Sequence, residues 1–524
     1  MSQKLAKSAG LIGVATMSSR VLGMVRDMVQ AHYFATGLAA DAFVVATRIP
    51  TLLRDLFAEG AMSAAFVPTV SRYLEQGGKP AAWRLGSQVI NALLIVTGVL
   101  VLIGIALAGP ITWAYTNEAY HQIPGKLALT VLLTRINMPF LMLIAIAAAF
   151  MGMLNALRRF FVPAMSPTMY NVVFILCTIV FVPVFTAMGI QPVMALSLGM
   201  LLGGVAQIVS QWPAIRREGY RHQWVLDWKD PGLRQVLVLM GPGSIGVAAA
   251  QVNILVNTLL ATGIAGAPSA LSYAFRLMYM PVGIFGVSIA TAAIPELARQ
   301  AATASYDDMR KTLSWGMRLM LVISVPASIG MMVLSTPIIE LIYKGGQFGS
   351  RDVFLVSQSL LFYAPGIVGY SLVKILSPSF YSMRDARTPV TVSVITILTN
   401  LVLNYALVHR LGFQGLALGT AIAANVNAAL LFILLSRRLN GLDGLHILGV
   451  LTRVLLASAA MAAAAYVVEA RLHAWFPAAS LYAHLIRVFG GIGAGVAVFA
   501  TAAWLLRIAE FRDAVSRILR KVRK

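Results

Sequence analysis

Apolar segments of about 20 residues or more recur along nearly the whole chain, and they constrain its fold more than any other feature. Of the 524 residues, 59% are hydrophobic and only 11% are charged, and the mean hydropathy is +0.80. A soluble protein of this length carries roughly 25% charged residues. Because the segments lack the strict alternation of barrel strands, helices are the structure that satisfies their backbone in lipid. The sequence therefore predicts an all-α membrane protein.

These segments predict about fourteen transmembrane helices, because each is long enough to cross the hydrocarbon core. Several exceed 25 residues, so we expect tilts, kinks or extensions beyond the membrane. The first segment follows a short basic start but is not followed by a small-residue cleavage site, so we expect a retained helix rather than a signal peptide. The predicted helices lie near residues 9–34, 41–75, 83–109, 126–156, 160–186, 191–216, 230–262, 267–300, 308–343, 351–383, 387–409, 413–437, 447–470 and 482–507.

The net charge of +22 is distributed unevenly between alternate connections. Most of the 41 Lys and Arg residues lie in the N-terminus, the even-to-odd loops and the C-terminal tail. The positive-inside rule then places both termini in the cytoplasm of a multi-pass protein of the bacterial inner membrane. Basic clusters such as Arg158-Arg159 are expected to contact anionic membrane lipids. No recognised nucleic-acid module accompanies them, so nucleic acid is not an expected partner.

A faint internal repeat divides the chain. Four pairs of residues are separated by 226 to 228 positions: Arg48 and Arg276, Pro68 and Pro295, Arg72 and Arg299, Pro163 and Pro389. Because six helices separate the copies, both halves should share one orientation, and repeated transporters bind substrate between such halves. The sequence predicts three parts: 1–216 with helices one to six, 217–440 with helices seven to twelve, and 441–524 with a final helix pair and a basic cytoplasmic tail.

Charged residues concentrate in the first two predicted helices, although a charge inside a bilayer costs several kcal/mol. They are Arg20, Arg26, Asp27, Asp41, Arg48, Arg54, Asp55 and Glu59, and Arg276 stands at the matching place in the second half. Arginine binds phosphate oxygens bidentately and keeps its charge when partly buried. This pattern predicts a central cationic cavity for an anionic, phosphate-bearing substrate. For the isolated charges Arg135, Arg318, Lys374, Arg453 and Arg487, we expect snorkelling or local carbonyl contacts.

Internal ion pairs are the alternative for the first group, with Arg26 beside Asp27 and Arg54 beside Asp55. Adjacent residues project about 100° apart on a helix, which disfavours pairing between neighbours. An unbroken helix also separates residues six positions apart, such as Arg20 and Arg26, by about 120°. Gly23 lies between Arg20 and Arg26, and Pro50 lies between Arg48 and Arg54. A bend at each of these residues would turn the guanidiniums towards one cavity.

An enzymatic function is not indicated. The seven histidines are scattered, and HExxH, a phosphate-binding P-loop and an evident Ser-His-Asp set are all missing from the sequence. The single cysteine, Cys177, excludes an intramolecular disulfide and suggests no metal site. We therefore expect no cofactor and no catalytic residue.

The segment SSRVLGMVRDMVQAHYFATGLAADAFVVATRIPTLLRDLFAEGAMSAAFVP (18–68) strongly resembles the start of the MurJ (MviN) lipid II flippases, a family of the multidrug/oligosaccharidyl-lipid/polysaccharide (MOP) exporter superfamily. Further matches are MGP at 240–242, SALSYAFRLMYMP at 269–281, FYSMRDARTPV at 380–390 and the basic tail. The resemblance covers essentially the whole chain, including the last two helices, which in that family form a groove for the lipid tail.

The resemblance implies a flippase that moves lipid II, the undecaprenyl-pyrophosphate-linked disaccharide-pentapeptide, to the periplasmic leaflet by alternating access. Such a protein is required for peptidoglycan synthesis. We expect it to act as a monomer, and contacts with other cell-wall synthesis proteins stay open. The family's cavity arginines correspond to Arg20, Arg26, Arg54 and Arg276, and its aspartate to Asp41. Arg48 and Glu59 complete the predicted substrate-binding set.

The chain departs from the family pattern at a sodium site that some members have. The corresponding positions are Asn257, Asn400, Asn404 and Thr420, and two carboxylates have become asparagines. Hard cations prefer charged oxygen ligands, so we expect no bound metal and a polar helix contact instead. Phe275 precedes Arg276 where some relatives carry an aspartate, which leaves that arginine less neutralised.

Other functions make different demands on the sequence. An exporter of cationic drugs needs acidic cavity residues, whereas a related MOP exporter of another polyprenyl-pyrophosphate-linked saccharide needs similar arginines. An intramembrane ligase or polymerase usually carries a large periplasmic loop, and the longest polar connections here are near 110–125 and 217–232. A scaffold has no need of intramembrane arginines.

Overall fold

A computed structural model describes residues 2–56, 61–476 and 480–522, and this part of the chain is helical, with one isolated backbone bridge between Gly345 and Phe348. By compactness the chain divides into two units, one ending at Ser269 and the other beginning at Ala270. The first unit contains α1 (Ser2–Phe34), α2 (Leu38–Ala46), α3 (Arg48–Arg54), α4 (Ala61–Ala106), α5 (Ala108–Ala114), α6 (Glu118–His121), α7 (Lys126–Asn137), α8 (Phe140–Ala156), α9 (Phe161–Ala187), α10 (Met194–Arg217) and α11 (Pro231–Thr262).

Helix α12 (Ala267–Pro281) begins in the first unit and continues into the second, where a π-helical turn (Val282–Gly286) follows it. The remaining helices belong to the second unit. They are α13 (Val287–Ala302), α14 (Tyr306–Val333), α15 (Ser335–Tyr343), α16 (Ser350–Tyr363), α17 (Gly366–Ser382), α18 (Arg387–Leu411), α19 (Phe413–Arg438), α20 (Gly444–Trp475), α21 (Leu481–Leu505) and α22 (Ala509–Val522).

Ten helices of the described part are long and apolar enough to cross a membrane, or eleven if the bent pair α16–α17 counts as one span. The protein is therefore a multi-pass membrane protein, as the composition predicted. The pair α16–α17 bends by 46°, where Ala364 and Pro365 separate the two helices. Proline lacks the backbone N–H that would continue the helix, which explains the break.

The single helix predicted over 41–75 is wrong, because the chain breaks there into α2, α3 and the start of α4. The break at Thr47 precedes Pro50, whose ring disfavours a continuous helix. The predicted separation between 75 and 83 is present as a kink at Gly78, whose φ of 65° suits glycine. At Gly23, where a bend was also expected, α1 is an uninterrupted helix.

Small residues let helices of each unit approach closely. In the second unit, a Cβ atom at Gly369 of α17 would lie 2.5 Å from the backbone of Ala424 in α19. In the first unit, a Cβ atom at Gly203 of α10 would lie 2.6 Å from the Tyr170 ring of α9. Helices in lipid gain their association from such close contacts, so these glycines serve packing.

Polar side chains fix the starts of helices at the ends of spans. The Asp230 carboxylate accepts hydrogen bonds from the backbone N–H groups of Gly232 and Leu233 and so caps α11. In the motif at 380–390, the Asp385 carboxylate accepts from the backbone N–H and the hydroxyl of Thr388 at the start of α18. These hydrogen bonds, followed by the charge of Arg438, hold the pKa of Asp385 below its usual value. The Asp385 carboxylate, one residue before the N-cap Ala386, therefore satisfies an N–H group in the first turn of α18.

A buried charge network fastens the helix pair α20–α21 to α15. Arg487 of α21 donates to Glu469 of α20 through Nε and Nη2, and to Glu340 of α15 through Nη1, at 2.6 to 3.2 Å. Burial alone would raise the pKa of Glu340, but a hydrogen bond from Lys344 and the neighbouring positive charges hold it below its usual value. Snorkelling was the wrong expectation for Arg487, since its side chain is only 5% exposed and fully paired.

The C-terminal tail, predicted only as a basic segment, forms helix α22 up to Val522. Glu510 in its first turn is buried and pairs with Arg318 of α14 at 3.2 Å. Arg318 also donates to the Ser314 carbonyl oxygen, the local contact expected for this residue. Phe511 packs against Phe499 of α21. Helix α22 is thus attached to the second unit by an ion pair and an aromatic contact.

The predicted orientation can be checked at four glycines in the connections between helices. Gly189, Gly219, Gly266 and Gly441 all have positive φ, as expected for tight turns. Reporter enzymes fused after Gly189 and Gly266 in truncated chains should report the periplasm, and those after Gly219 and Gly441 the cytoplasm. The reverse result at any two of the four positions would contradict the helix count.

Candidate functional site

Arg26 of α1 lies in a pocket built by α9. Its Nη1 donates to Asn171 Oδ1 at 3.1 Å, and its Nε and Nη2 donate to Asp27 Oδ1 at 3.3 and 3.1 Å. The guanidinium lies 5.8 and 5.5 Å from the ring centroids of Tyr170 and Phe174. Two aromatic faces and a carboxylate together stabilise a charge that is only 16% exposed.

Asn171 ties this pocket to the backbone of α1. Its Nδ2 donates to the Ser19 carbonyl oxygen at 3.1 Å while its Oδ1 accepts from Arg26. Gly23 faces the same amide, which a Cβ atom at that glycine would approach to 3.8 Å. Asn171 therefore fixes both the position of α1 and the direction of the Arg26 guanidinium.

Arg54, the last residue of α3, repeats this arrangement with different helices. Its Nε and Nη2 donate to Asp55 Oδ1 at 2.9 and 2.6 Å, and Gln251 of α11 donates to Asp55 Oδ2 at 3.0 Å. Arg54 and Arg26 both belong to the first unit, on α3 and α1. In both cases an Arg-Asp dipeptide is joined by an amide from another helix.

The expectation that neighbours on a helix do not pair is wrong for Arg26–Asp27 and Arg54–Asp55. The 100° between their Cα–Cβ directions is overcome by the length of the arginine side chain, whose guanidinium reaches the adjacent carboxylate. The Arg54 side chain remains 31% exposed and Arg26 16% exposed. Each arginine is therefore neutralised by its aspartate, while part of its side chain stays exposed.

Asp41 of α2 forms a buried ion pair that the sequence did not predict. Its Oδ2 lies 2.8 Å from Nζ of Lys126, the first residue of α7, and the two side chains are 1% and 2% exposed. Lys126 also lies 4.4 Å from the centroid of the Tyr120 ring. A charge pair this deeply buried needs full hydrogen bonding to offset the loss of water.

The Asp41 carboxylate obtains that bonding from the turn that leads into α12. Gly266 N–H donates to Oδ2 at 2.9 Å, and Ser269 donates to Oδ1 through its backbone N–H at 3.1 Å and its hydroxyl at 2.7 Å. A negative charge is also favoured at a helix N-terminus by the helix dipole. Asp41 therefore joins α2, α7 and the start of α12.

Arg20 differs from the paired arginines. The described residues give its side chain neither a hydrogen bond nor an ion pair, and it lines a cavity of about 450 Å³ between α1, α8 and α9. Asn155 of α8 and Phe160, just before α9, line the same cavity. This site in the first unit has room for a small anionic group.

The other predicted site residues are dispersed. Arg48 is the first residue of α3 and is half-buried. Arg276 lies in α12, in the second unit, and is exposed. Phe275 beside it contacts the rings of Tyr279, Tyr363 and Tyr370. Glu59 lies outside the described residues.

Four positions correspond to the sodium site of some family members, and three of them, Asn400, Asn404 and Thr420, lie together in the second unit. Asn404 donates to Asn400 Oδ1 at 3.1 Å, and Asn400 donates to the Thr420 hydroxyl at 3.4 Å. The first of these bonds lies within α18, and the second is a polar contact between α18 and α19 of the kind expected. Asn257 belongs to the first unit. Within the described ranges, no group of three His, Cys, Asp or Glu side chains is arranged to hold a metal ion.

Several residues of this site were missed by sequence reasoning. Lys126 stood at the edge of a predicted helix, where a lysine normally reaches water, so it was not expected to pair in the interior. Asn155, Asn171 and Gln251 are neutral amides in apolar segments, and such residues usually serve helix packing. Ser269 lay within a quoted motif without an assigned role. The sequence gave a signal for this network only at Asp41, a carboxylate near the start of a predicted helix.

The fold is that of a transporter class. Over 83% of this chain and 99% of the other, the structure matches the inward-facing conformation of a multidrug resistance MATE family transporter of the MOP superfamily, with a TM-score of 0.65 and 14% identity. A stronger match, with a TM-score of 0.76 and 25% identity, is to lipid II flippase MurJ in an inward closed conformation. It covers 96% of this chain and 99% of the other.

The sequence comparisons define the family. Residues 30–485 match the family model described as lipid II flippase MurJ. A probable lipid II flippase MurJ from Vibrio cholerae is 36% identical over 86% of this chain and 84% of its own length. Lipid II flippase MurJ from Burkholderia cenocepacia is 33% identical over 81% of this chain and 82% of its own length. The chain therefore belongs to the MurJ family, which confirms the resemblance seen at residues 18–68 and in the later motifs.

The buried Asp41–Lys126 pair generates a stability prediction. In Lys126→Met, the Asp41 charge loses its buried partner, so the free energy of unfolding should fall by about 3–5 kcal/mol. The control is Lys79→Met, which removes a pair with Glu218 whose lysine side chain is 52% exposed and should cost about 1 kcal/mol or less. Thermal unfolding in detergent measures both. Equal unfolding temperatures for Lys126→Met and the unmodified protein would contradict a structural role for the pair.

Proposed function

We propose that this protein is a lipid II flippase, which moves the undecaprenyl-pyrophosphate-linked disaccharide-pentapeptide from the cytoplasmic to the periplasmic leaflet of the bacterial inner membrane. The observation that carries the proposal is its membership of the MurJ family over residues 30–485. The family is described as a flippase, so the protein is a transporter rather than an enzyme. Its role would be to supply precursor for peptidoglycan synthesis and so to maintain cell shape.

The intramembrane arginines support this choice of substrate. A pyrophosphate needs cationic groups with several N–H donors, and arginine supplies these in a planar fork. In our proposal Arg20, Arg26, Arg54 and Arg276 bind the pyrophosphate during transport, with Arg48 and Glu59 also facing the substrate. Asp41 controls alternating access, because its hydrogen bonds to the start of α12 can form in one state and break in the other.

The finer architecture is also part of the proposal. Fourteen spans form two six-helix lobes, 1–216 and 217–440, around a central cationic cavity, and 441–524 add two helices and a cytoplasmic tail. Both termini lie in the cytoplasm, where basic clusters contact anionic lipids. The protein acts as a monomer, and contacts with other cell-wall proteins stay open.

A related exporter of another polyprenyl-pyrophosphate-linked saccharide is the second candidate, because the same arginines suit any pyrophosphate. Export of cationic drugs is disfavoured, because positively charged arginines do not attract a cation. The likeness to MATE transporters, at 14% identity, concerns the fold alone.

The function is tested by the leaflet in which lipid II resides. Depletion of the protein should leave lipid II in the cytoplasmic leaflet of intact cells. Vesicles that contain the purified protein should move labelled lipid II faster than vesicles without it, and faster than they move a polyprenyl-pyrophosphate carrying a different saccharide. Equal movement of both lipids would favour the second candidate, and movement of neither would remove the proposal.

Alanine variants separate a substrate role of the arginines from a structural one. Arg20→Ala should leave a folded, inserted protein that does not support growth, because the described residues give Arg20 no internal partner. Lysine should restore function only where a point charge is sufficient. Arg159→Ala, which removes a 68% exposed side chain, is the matched control. Growth complementation and membrane-fraction blots at native expression measure the two properties.

The paired arginines need a double variant. Arg26→Ala leaves the Asp27 carboxylate in a buried position, so some loss of inserted protein is expected. Arg26→Ala with Asp27→Ala should restore insertion but not growth if Arg26 also binds substrate. Restored growth of the double variant would leave Arg26 with a structural role alone. Normal growth of the four single variants Arg20→Ala, Arg26→Ala, Arg54→Ala and Arg276→Ala would exclude binding of the pyrophosphate by these arginines.

Transport should not require sodium. Asn257 and Asn404 stand where relatives carry carboxylates, and neutral amides bind hard cations weakly. Replacing sodium with potassium in the vesicle experiment should change the rate of lipid II movement by less than about twofold. A membrane potential remains available as a driving force, at roughly 2.3 kcal/mol per charge for each 100 mV. A strict sodium requirement would show that the asparagines still bind the ion.

A further inference from the structure

We propose that the cavity between α1, α8 and α9 is the site that binds the first sugar of the lipid-linked substrate together with its adjoining phosphate, with Asn155 and Phe160 as the sugar-binding residues. The proposal rests on the proposed function and adds to it a location for one part of the substrate. The cavity measures about 450 Å³ and is lined by Thr16, Ser19, Arg20, Met151, Asn155, Phe160, Pro163, Ala164 and Pro167.

Two polar side chains of this cavity, Arg20 and Asn155, remain available to a ligand. Arg20 and Asn155 are half-buried, yet the structure pairs neither with another side chain or carbonyl group within its described part. Arg26 and Asn171, one helical turn or more away, are hydrogen-bonded to each other. A half-buried guanidinium and amide are stabilised when a bound group supplies the missing acceptors and donors.

The start of α9 adds to the positive potential. Phe160 occupies the N-cap position, where no side chain caps the helix, and Pro163 and Ala164 of the first turn line the cavity. Pro163 has no backbone N–H and the Ala164 N–H donates to the Phe160 carbonyl oxygen, so the contribution of this turn is the helix dipole, which favours an anion at a helix N-terminus. Together with Arg20, this end of α9 is suited to a phosphate.

The rest of the cavity wall is uncharged and mostly apolar, which indicates a sugar rather than a second phosphate. Apart from Arg20, Asn155 and two hydroxyl residues, the wall consists of Met151, Phe160, Ala164 and two prolines. An amide donates and accepts, as sugar hydroxyls require, and an aromatic ring gives an apolar face for the C–H side of a sugar ring. The cavity volume lies within the range usual for small-ligand sites.

The experiment uses the full-length protein in lipid nanodiscs and two probes. One is a water-soluble lipid II analogue with a shortened prenyl chain, and the other is inorganic pyrophosphate, which lacks the sugar. Asn155→Ala should weaken binding of the analogue roughly tenfold, the effect of about one lost hydrogen bond to a polar ligand, and should change pyrophosphate binding less than about twofold. Asn155→Asp should weaken both probes, because its carboxylate would pair with Arg20 and repel phosphate.

Two neighbouring phenylalanines provide a matched control. Phe160→Ala should weaken binding of the analogue by roughly fivefold, because the sugar loses an apolar contact. Phe161→Ala removes a similarly exposed ring that does not line the cavity, and should bind both probes as the unmodified protein does. Equal weakening by both phenylalanine variants would overturn the assignment.

A labelling measurement keeps the proposal testable if Asn155→Ala folds poorly. In a Cys177→Ala background, Asn155→Cys introduces the only thiol, and a charged thiol reagent should modify it more slowly when the analogue is bound. Pyrophosphate alone should protect it less. An unchanged labelling rate with the analogue would overturn the proposal.

The outcome also distinguishes this inference from the function on which it rests. If the protein moves lipid II in vesicles but Asn155→Ala and Phe160→Ala bind the analogue normally, the cavity is not the sugar site and the flippase function stands. If the unmodified protein neither moves lipid II nor binds the analogue, the proposed function and the sugar site both fail.

Discussion

A charge in a low-dielectric environment must have a partner, and the polar interior of this protein depends on that constraint. Asp41 satisfies it with four donors, from Lys126, Gly266 and Ser269. Arg26 and Arg54 satisfy it with adjacent aspartates and with amides from α9 and α11. The positions of α1, α2, α3, α7, α9 and α11 in the first unit therefore follow from a few ion pairs as well as from apolar packing.

The same constraint explains why arginine suits both a structural and a transport role. Its five N–H donors allow a side chain to keep one partner while presenting other donors to a substrate. Arg54 uses two of its nitrogens on Asp55 and remains 31% exposed. Pairing and substrate binding are therefore compatible in these arginines, and only Arg20 has no described partner to exchange.

Periodicity and composition predicted most of the helices, since each apolar segment that is long enough to span lipid has few other ways to fold. α9, α10, α18 and α19 begin and end within a few residues of the predicted positions. The interruption at Thr47 lies close to Pro50, where a bend was expected. The π-helical turn at Val282–Gly286 was not predicted, because it depends on a local backbone adjustment that hydropathy does not register. Segment lengths also gave no sign of α22.

The candidate site was predicted in its charges but not in its partners. Arginines and aspartates in apolar segments stand out by their cost, so Arg20, Arg26, Asp41 and Arg54 were all singled out. Asn171, Gln251 and Lys126 come from helices distant in sequence, and only the fold brings them to those charges. Sequence spacing also misjudged the adjacent pairs, since a long side chain reaches further than its Cβ direction indicates.

Two buried ion pairs of the second unit lie near opposite ends of α21. Arg487 near its start is bound to α15, and Glu510 just after its end is bound to α14. Between them, Phe499 and Met461 belong to an apolar cluster with Leu321 and Val325 of α14. A helix pair fastened at both ends cannot slide along its own axis without breaking a buried charge pair. During a transport cycle α20 and α21 should therefore move with α14 as one rigid body. Any sliding between helices must then occur at other helix contacts.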